Sequence, residues 1–129
     1  MLPLLQGIRV LDFTTIVLGP YATQTLGDLG ADVVKIEPLQ GDLFRTVRPG
    51  RSRSMGAGFM GFNRNKRSLA IDLKRPESRA VLARLVSGAD AVVHNMRPKA
   101  AEPLGLTYGQ LARIKPGLVY AFAAGYDQS

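Results

Sequence analysis

The apolar residues of this chain form short runs that alternate with segments of helical period. The first two runs, residues 7–13 and 31–37, are rich in β-branched side chains, as is typical of buried strands. Between them, apolar side chains recur at helical spacing across 22–29, with Pro20 in the first turn and Gly30 as the stop. The pattern predicts a β-loop-α-β unit, whose two strands are parallel and joined by a right-handed crossover.

The alternation continues through the rest of the chain. Three further apolar runs predict strands at 68–73, 90–96 and 118–124. A helix that begins at Pro76 precedes the second of these strands, and a short helix near 108–115 precedes the third. Five strands alternating with helices predict the α/β class, with an open, mainly parallel sheet and flanking helices.

Residues 38–61 interrupt this pattern. They include two prolines, five glycines and four arginines and show no sustained period. We interpret the segment as a long loop, a feature that is usually functional or disordered in a compact domain. At 129 residues and 46% hydrophobic content, the chain is expected to form one domain with a packed core.

Composition excludes several kinds of site. The absence of cysteine excludes a disulfide framework, a cysteine zinc site and a thiol nucleophile, and it favours a cytoplasmic location. His94 is the sole histidine, so no metal site is expected, and a hydrogen-bonded side chain at a strand end is its simplest interpretation. We find no signal peptide at the N-terminus and no apolar run long enough to span a membrane, so no membrane partner is expected.

The formal charge of +7 is unevenly distributed. Between Arg45 and Arg79, ten basic residues face two acidic ones, while the remainder has seven basic and eight acidic residues. The densest part is the run 62–76, with its five cations Arg64, Lys66, Arg67, Lys74 and Arg75. A phosphorylated cofactor, a nucleic acid or solvent alone could face such a run. Nucleic acid is the poorest partner, because the run lacks interleaved aromatic residues for base stacking and does not lie on a predicted helix.

Several segments together resemble the family III CoA-transferases, a group that includes formyl-CoA transferase and carnitine CoA-transferase and is related to alpha-methylacyl-CoA racemase. The resemblance spans Leu5 to Gly125 and rests, in this order, on GIRVLDFTTIVLGPYATQTLGDLGADVVKIEP, GDLFR, FNRNKRSLAIDLK, ADAVVHNMRP and LGLTYGQLARIKPGLVYAFAAGY. It implies a Rossmann-like fold, an interlocked homodimer, and an enzyme that moves CoA between carboxylic acids, with acyl-CoA and a carboxylic acid as substrates.

The resemblance also implies a set of CoA contacts, carried over by position. They come from the loop after the first strand, the end of the third strand and the loop after the fourth: Val17, Leu18, Ile71, Asp72, Leu73, Lys74, Asn95, Met96 and Arg97. Pro38 and Pro103 stand where some members have arginines near the CoA phosphates. Lys74, Arg97 or the loop 45–53 would then have to bind the CoA phosphates in place of these arginines.

The family's catalytic residue is an aspartate in a later Gly-Asp motif, where it forms an acyl anhydride. Asp127 matches a variable loop position and is not that residue. We therefore expect residues 1–129 to correspond to the N-terminal CoA-binding part of such an enzyme and to be inactive alone. Two alternatives stay open, a racemase-like isomerase and a non-catalytic dimerising fragment, and the acyl donor and acceptor are not specified by these residues.

Overall fold

The computed structural model describes residues 3–126, and a five-stranded sheet forms its centre. The strands are β1 Arg9–Phe13, β2 Asp32–Glu37, β3 Lys66–Ala70, β4 Ala91–His94 and β5 Val119–Phe122. Their order in the sheet is β3-β2-β1-β4-β5, and every neighbouring pair is parallel. The predicted α/β class, the parallel sheet and the adjacency of the first two strands are confirmed.

Helices cover both faces of the sheet. They are α1 Leu18–Asp28, α2 Ala57–Phe62, α3 Ser78–Ser87, α4 Pro98–Ala101 and α5 Tyr108–Ile114, with short 3-10 helices at Pro3–Leu5, Leu43–Thr46 and Glu102–Leu104. The sequence explains their ends. Gly30, just after α1, adopts a φ of +100° that favours glycine, and Thr107 and Gln110 form a reciprocal capping box at the start of α5.

Two apolar clusters fix the helices to the sheet. On one face, Leu11 and Val92 pack with Leu82 of α3 and Leu111 of α5 in the larger cluster. On the other face, a smaller cluster around Val10 and Val33 receives Leu26 from α1. Successive residues of a strand point to opposite faces of the sheet. Because helices cover both faces, the central strands are buried on both sides.

The structure corrects the predicted element boundaries. The third strand occupies Lys66–Ala70 and not 68–73, so residues 71–74 lie beyond its carboxyl end. The fourth and fifth strands likewise end earlier than predicted, at His94 and Phe122. In β3 the parallel register with β2 begins by pairing Val33 with Lys66. A charged residue therefore starts a strand that the apolar pattern placed two residues later.

The segment 38–61, predicted as a long loop, contains the 3-10 helix Leu43–Thr46 and most of α2. The Asp42 side chain starts the first of these by accepting a hydrogen bond from Phe44 N at 2.9 Å. Phe59 is buried and anchors α2. The segment is thus more structured than its glycine and arginine content indicates, because two local interactions order it.

The order in which strands are added to the sheet reverses at β1. The chain adds β2 and β3 on one side of β1 and then crosses back to add β4 and β5 on the other side. In open parallel sheets this switch point leaves a crevice at the carboxyl ends of the strands, where ligands bind. The loops that follow β1 and β4 are therefore the first place to look for a site.

Candidate functional site

A cleft of about 380 Å³ opens at the carboxyl ends of the strands. Its lining includes Phe13, Thr15, Ile36, Glu37, Pro38, Ile71, Asp72, Leu73, Lys74, Met96 and Leu104. Apolar side chains dominate this set, and polar groups lie among them, as is usual for small-molecule sites. The volume is at the lower end for such sites, so the cleft suits one end of an elongated ligand.

The loop after β3 forms one wall of the cleft. Ile71 N donates to Glu37 O at 2.9 Å, which attaches the loop to the end of β2. The Asp72 carboxylate accepts a hydrogen bond from Lys74 N at 3.0 Å and closes a tight turn. This turn leaves the Lys74 side chain exposed at the rim. The wall therefore combines apolar surface with one accessible cation.

The loop after β1 contains a strained residue. Ile16 has a φ of 74°, a conformation that a β-branched residue rarely adopts. Thr14 O, on the strand side, accepts a hydrogen bond from Lys35 Nζ at 2.8 Å. On the helix side, a Cβ on Gly19 would lie 2.3 Å from Thr14 Cβ, so only glycine permits this approach. The surroundings thus hold the strained loop in one shape.

Asn95 joins the two loops at the switch point. Its Oδ1 accepts from Thr15 N at 3.1 Å, and its Nδ2 donates to Thr15 O at 3.0 Å. Both polar groups of the carboxamide are therefore used within the protein. Asn95, which the sequence placed among the ligand contacts, has a geometry that suits positioning the loop after β1.

The structure divides the predicted contact residues into three groups. Residues 71–74 line the cleft together with Met96. Asn95 and Arg97 border a neighbouring depression of about 690 Å³ at the ends of β4 and β5. Val17 and Leu18 border neither cavity, but both are exposed at the start of α1, with Leu18 at 67%. The predicted contacts therefore do not form one cavity, although each residue lies in a segment that follows a strand of the sheet.

Most cations of the run 62–76 pair with carboxylates of the same chain. Lys66 Nζ lies 2.9 Å from Asp12 Oδ2, Arg64 pairs with Asp28 at 2.6 Å, and Arg67 pairs with Asp32 at 2.7 Å. Within residues 3–126, no such ion pair is found for Lys74 or Arg75. Three of the five cations of the run thus pair with carboxylates of the same chain, and Lys74 is the cation of the run that lines the cleft.

Sequence reasoning missed a buried ionic group at the end of β2. Glu37 is 3% exposed, and Arg45 contacts both of its oxygens, at 2.8 Å through Nε and 2.7 Å through Nη2. Asp42 N and Ser68 Oγ complete four hydrogen bonds to the carboxylate. Arg45 also lies over the Phe59 ring at 3.8 Å. Arg45, one of the expected compensating cations, is thus engaged within the protein.

Sequence reasoning also did not identify Lys35 as a member of a buried ion pair. It is 1% exposed, and its Nζ lies 2.9 Å from Asp42 Oδ2. A signal was present, because a lysine inside the apolar run 31–37 must have a buried partner if the run is a buried strand. The partner itself could not be identified from the sequence.

The contacts of Glu37 predict a loss of stability in acid. Burial opposes ionisation, but the hydrogen bonds from Arg45, Asp42 N and Ser68 outweigh it and lower the pKa of Glu37 from 4.5 to about 2. A lowered folded-state pKa stabilises the fold above the unfolded value, and this stabilisation is lost as the pH falls from 4.5 to about 2.

Glu37→Gln should therefore be less stable than wild type near neutral pH, with a gap that narrows by roughly 3 kcal/mol toward pH 2. Urea unfolding followed by circular dichroism over this range measures the gap. Glu102→Gln changes an exposed glutamate and controls for the general effect of losing a carboxylate. A stability difference between wild type and Glu37→Gln that stays constant with pH would contradict the lowered pKa of Glu37.

Within the described part of the chain, no group of three His, Asp or Glu side chains is placed to hold a metal ion. No helix among these residues is long and apolar enough to cross a membrane.

Comparisons with known proteins agree with the architecture. A family model described as CoA-transferase family III matches residues 5–129. The succinyl-CoA:glutarate CoA-transferase of Mus musculus is 37% identical over 126 residues, which cover 97% of this chain and 29% of that protein. The succinyl-CoA:mesaconate CoA-transferase of Haloarcula hispanica is 40% identical, with 95% of this chain and 32% of that protein covered.

A solved structure is also similar. A CAIB/BAIF family protein from Brucella suis superposes with a TM-score of 0.90 at 37% identity, covering 97% of this chain and 34% of that one. The 129 residues thus span about a third of the length of the relatives that they match.

Proposed function

The chain belongs to CoA-transferase family III, and we propose that it forms the CoA-binding N-terminal part of an enzyme that moves CoA between carboxylic acids. One observation supports this most directly. The cleft at the carboxyl ends of the strands brings together residues 71–74 and Met96, which the family resemblance implies as CoA contacts.

The chemistry of the cleft fits the nucleotide end of CoA. Ile71, Leu73 and Met96 offer apolar surface for the flat adenine ring. The exposed ammonium of Lys74 at the rim suits a phosphate, which lysine binds as a point charge. We propose that the rest of the cofactor extends past Val17 and Leu18, whose exposed apolar side chains suit a chain with little charge.

In this proposal, CoA moves from one carboxylic acid to the other through an aspartyl acyl anhydride. A carboxylate nucleophile splits one difficult exchange into two easier steps. The family's aspartate lies in a later Gly-Asp motif, so the residues of this chain would bind and orient CoA without forming the covalent bond. The names of the relatives contain succinyl-CoA, and we propose a CoA thioester of a small carboxylic acid as the substrate class.

We further propose that the protein works as a homodimer in the cytoplasm. The edge strand β5 supports an additional contact, because Val119 is 64% exposed on it. Exposed strand edges and apolar surface favour pairing with another chain.

Lys74→Ala should weaken CoA binding by about ten- to a hundredfold, because a charge-assisted contact contributes roughly 1.5–3 kcal/mol. Isothermal titration calorimetry of the 129-residue chain with CoA measures this change. Lys115→Ala is the matched control, since Lys115 bonds Ala89 O just before β4, at the opposite end of the strands.

Equal dissociation constants for wild type and Lys74→Ala would remove Lys74 from the site. Failure of wild type to bind CoA, together with tight binding to duplex DNA at physiological salt, would contradict the proposed function as a whole.

A further inference from the structure

His94 ends β4 and has a defined contact at each ring nitrogen. It is 2% exposed, its Nδ1 accepts a hydrogen bond from Met96 N at 3.1 Å, and its Nε2 lies 2.5 Å from Tyr120 Oη. The Tyr120 hydroxyl in turn donates to Leu106 O at 3.0 Å. Because Nδ1 accepts from Met96 N, the proton of the neutral imidazole has to lie on Nε2, which donates to Tyr120 Oη.

We propose that neutral His94, in its Nε2–H form, is a positioning residue that holds the loop Asn95–Arg97 in its ligand-binding shape, and that protonation of the ring releases this loop. The inference about binding rests on the proposed CoA site. The inference about the ring and the loop stands on the hydrogen bonds alone.

Protonation has a specific structural consequence. An imidazolium carries a hydrogen on both nitrogens, so an Nδ1–H would face the N–H of Met96, and the bond that now joins them could not form. Met96 lines the cleft, and its neighbour Asn95 fixes Thr15 in the loop after β1. A change at one nitrogen would therefore reach both loops of the switch point.

The surroundings of His94 favour the neutral ring. Phe122 from β5 stacks on it with 4.9 Å between ring centroids, and Phe13 pairs with it across the sheet from β1. Among residues 3–126, two tyrosines form the ring contacts on this side: Tyr120 from β5 contacts His94, and Tyr108 from α5 contacts Tyr120. Burial lowers the pKa of His94, and no charged group contributes to that shift.

Nuclear magnetic resonance of the ¹⁵N-labelled chain tests the ring directly, because His94 is the sole histidine and gives one set of imidazole signals. We expect the Nε2–H form at neutral pH. On acidification, the amides of Asn95 and Met96 should shift with the same midpoint as the ring. An Nδ1–H form, or a Met96 amide that does not follow the ring, would overturn the proposal.

Two variants connect the ring to binding. His94→Asn places an acceptor where Nδ1 lies, so CoA affinity should stay within about twofold of wild type at neutral pH. His94→Phe keeps a ring but offers Met96 no acceptor, so affinity should fall by about fivefold at every pH.

Below the midpoint that the ring signals give for His94, wild type should lose about fivefold more affinity than His94→Asn. The comparison uses the same ligand, which cancels the titration of the CoA phosphates themselves. Parallel pH profiles for the two proteins would overturn the link to binding. Absence of CoA binding at any pH would instead count against the proposed function, while the spectroscopic test of the ring would still decide the loop inference.

Discussion

Lys66→Met should lower the free energy of unfolding by about 3–5 kcal/mol, while the same change at the next residue, Arg67, should cost less than about 1 kcal/mol. The two side chains differ in burial and not in charge. Lys66 is 2% exposed and pairs with Asp12, which is 0% exposed, whereas Arg67 is 66% exposed in its pair with Asp32. Solvent screens the outer pair but not the inner one.

The geometry around Lys66 explains the size of this effect. Its Nζ donates to Asp12 Oδ2, Pro20 O and Asn63 Oδ1, each at 2.9 Å. It thus connects β1, the first turn of α1 and the segment after α2. Methionine fills a similar volume but cannot donate to any of the three acceptors. Thr23 Oγ1 still donates to Asp12 Oδ2 at 2.6 Å and to Pro20 O at 3.2 Å, so the loss falls mainly on the charge of the buried Asp12 carboxylate and on Asn63 Oδ1.

Urea unfolding of both variants against wild type measures the difference. The double variant Asp12→Asn, Lys66→Met should be less destabilised than the sum of the two single changes, because it removes the buried charge together with its partner. Equal costs for Lys66→Met and Arg67→Met would show that burial does not strengthen the inner pair.

This ion pair also shows where prediction from sequence ends. The apolar runs identified five strands and the parallel sheet, because strands buried on both faces must be apolar along most of their length. The partners of the cationic run could not be predicted, since Lys66 and Asp12 are 54 positions apart. Only the order of the strands brings them together, and the sequence does not state that order.

For a related reason, the positions of the contact residues were predicted but their hydrogen-bond partners were not. The family resemblance placed 71–74 and Met96 at the strand ends, and they line one cleft in the structure. It could not show that the carboxamide of Asn95 is fully used by Thr15, nor that Glu37 engages Arg45. Such roles depend on atomic distances across the crevice, which a pattern of residue types does not contain.

The 129-residue chain should bind CoA and yet form no covalent acyl adduct when incubated with an acyl-CoA. The two carboxylates that line the cleft are Glu37 and Asp72. Glu37 accepts four hydrogen bonds, and its pKa of about 2 makes it a weak nucleophile. Asp72 accepts the hydrogen bond from Lys74 N that closes the turn after β3. We therefore expect neither carboxylate to attack a thioester.

Hydroxylamine tests for a covalent adduct. It converts an aspartyl thioester into an aspartyl hydroxamate, which mass spectrometry locates on the chain, and it cleaves a mixed anhydride at either carbonyl, which leaves part of the hydroxamate on the chain. We expect no hydroxamate on the chain, and free CoA released only at the rate at which hydroxylamine cleaves acyl-CoA without protein. An adduct that appears in wild type but not in Asp72→Asn would assign the nucleophile to this cleft and would refute the view that its residues only bind and orient CoA. The absence of an adduct would agree with the proposal that the strand ends of this sheet hold CoA for a carboxylate outside residues 1–129.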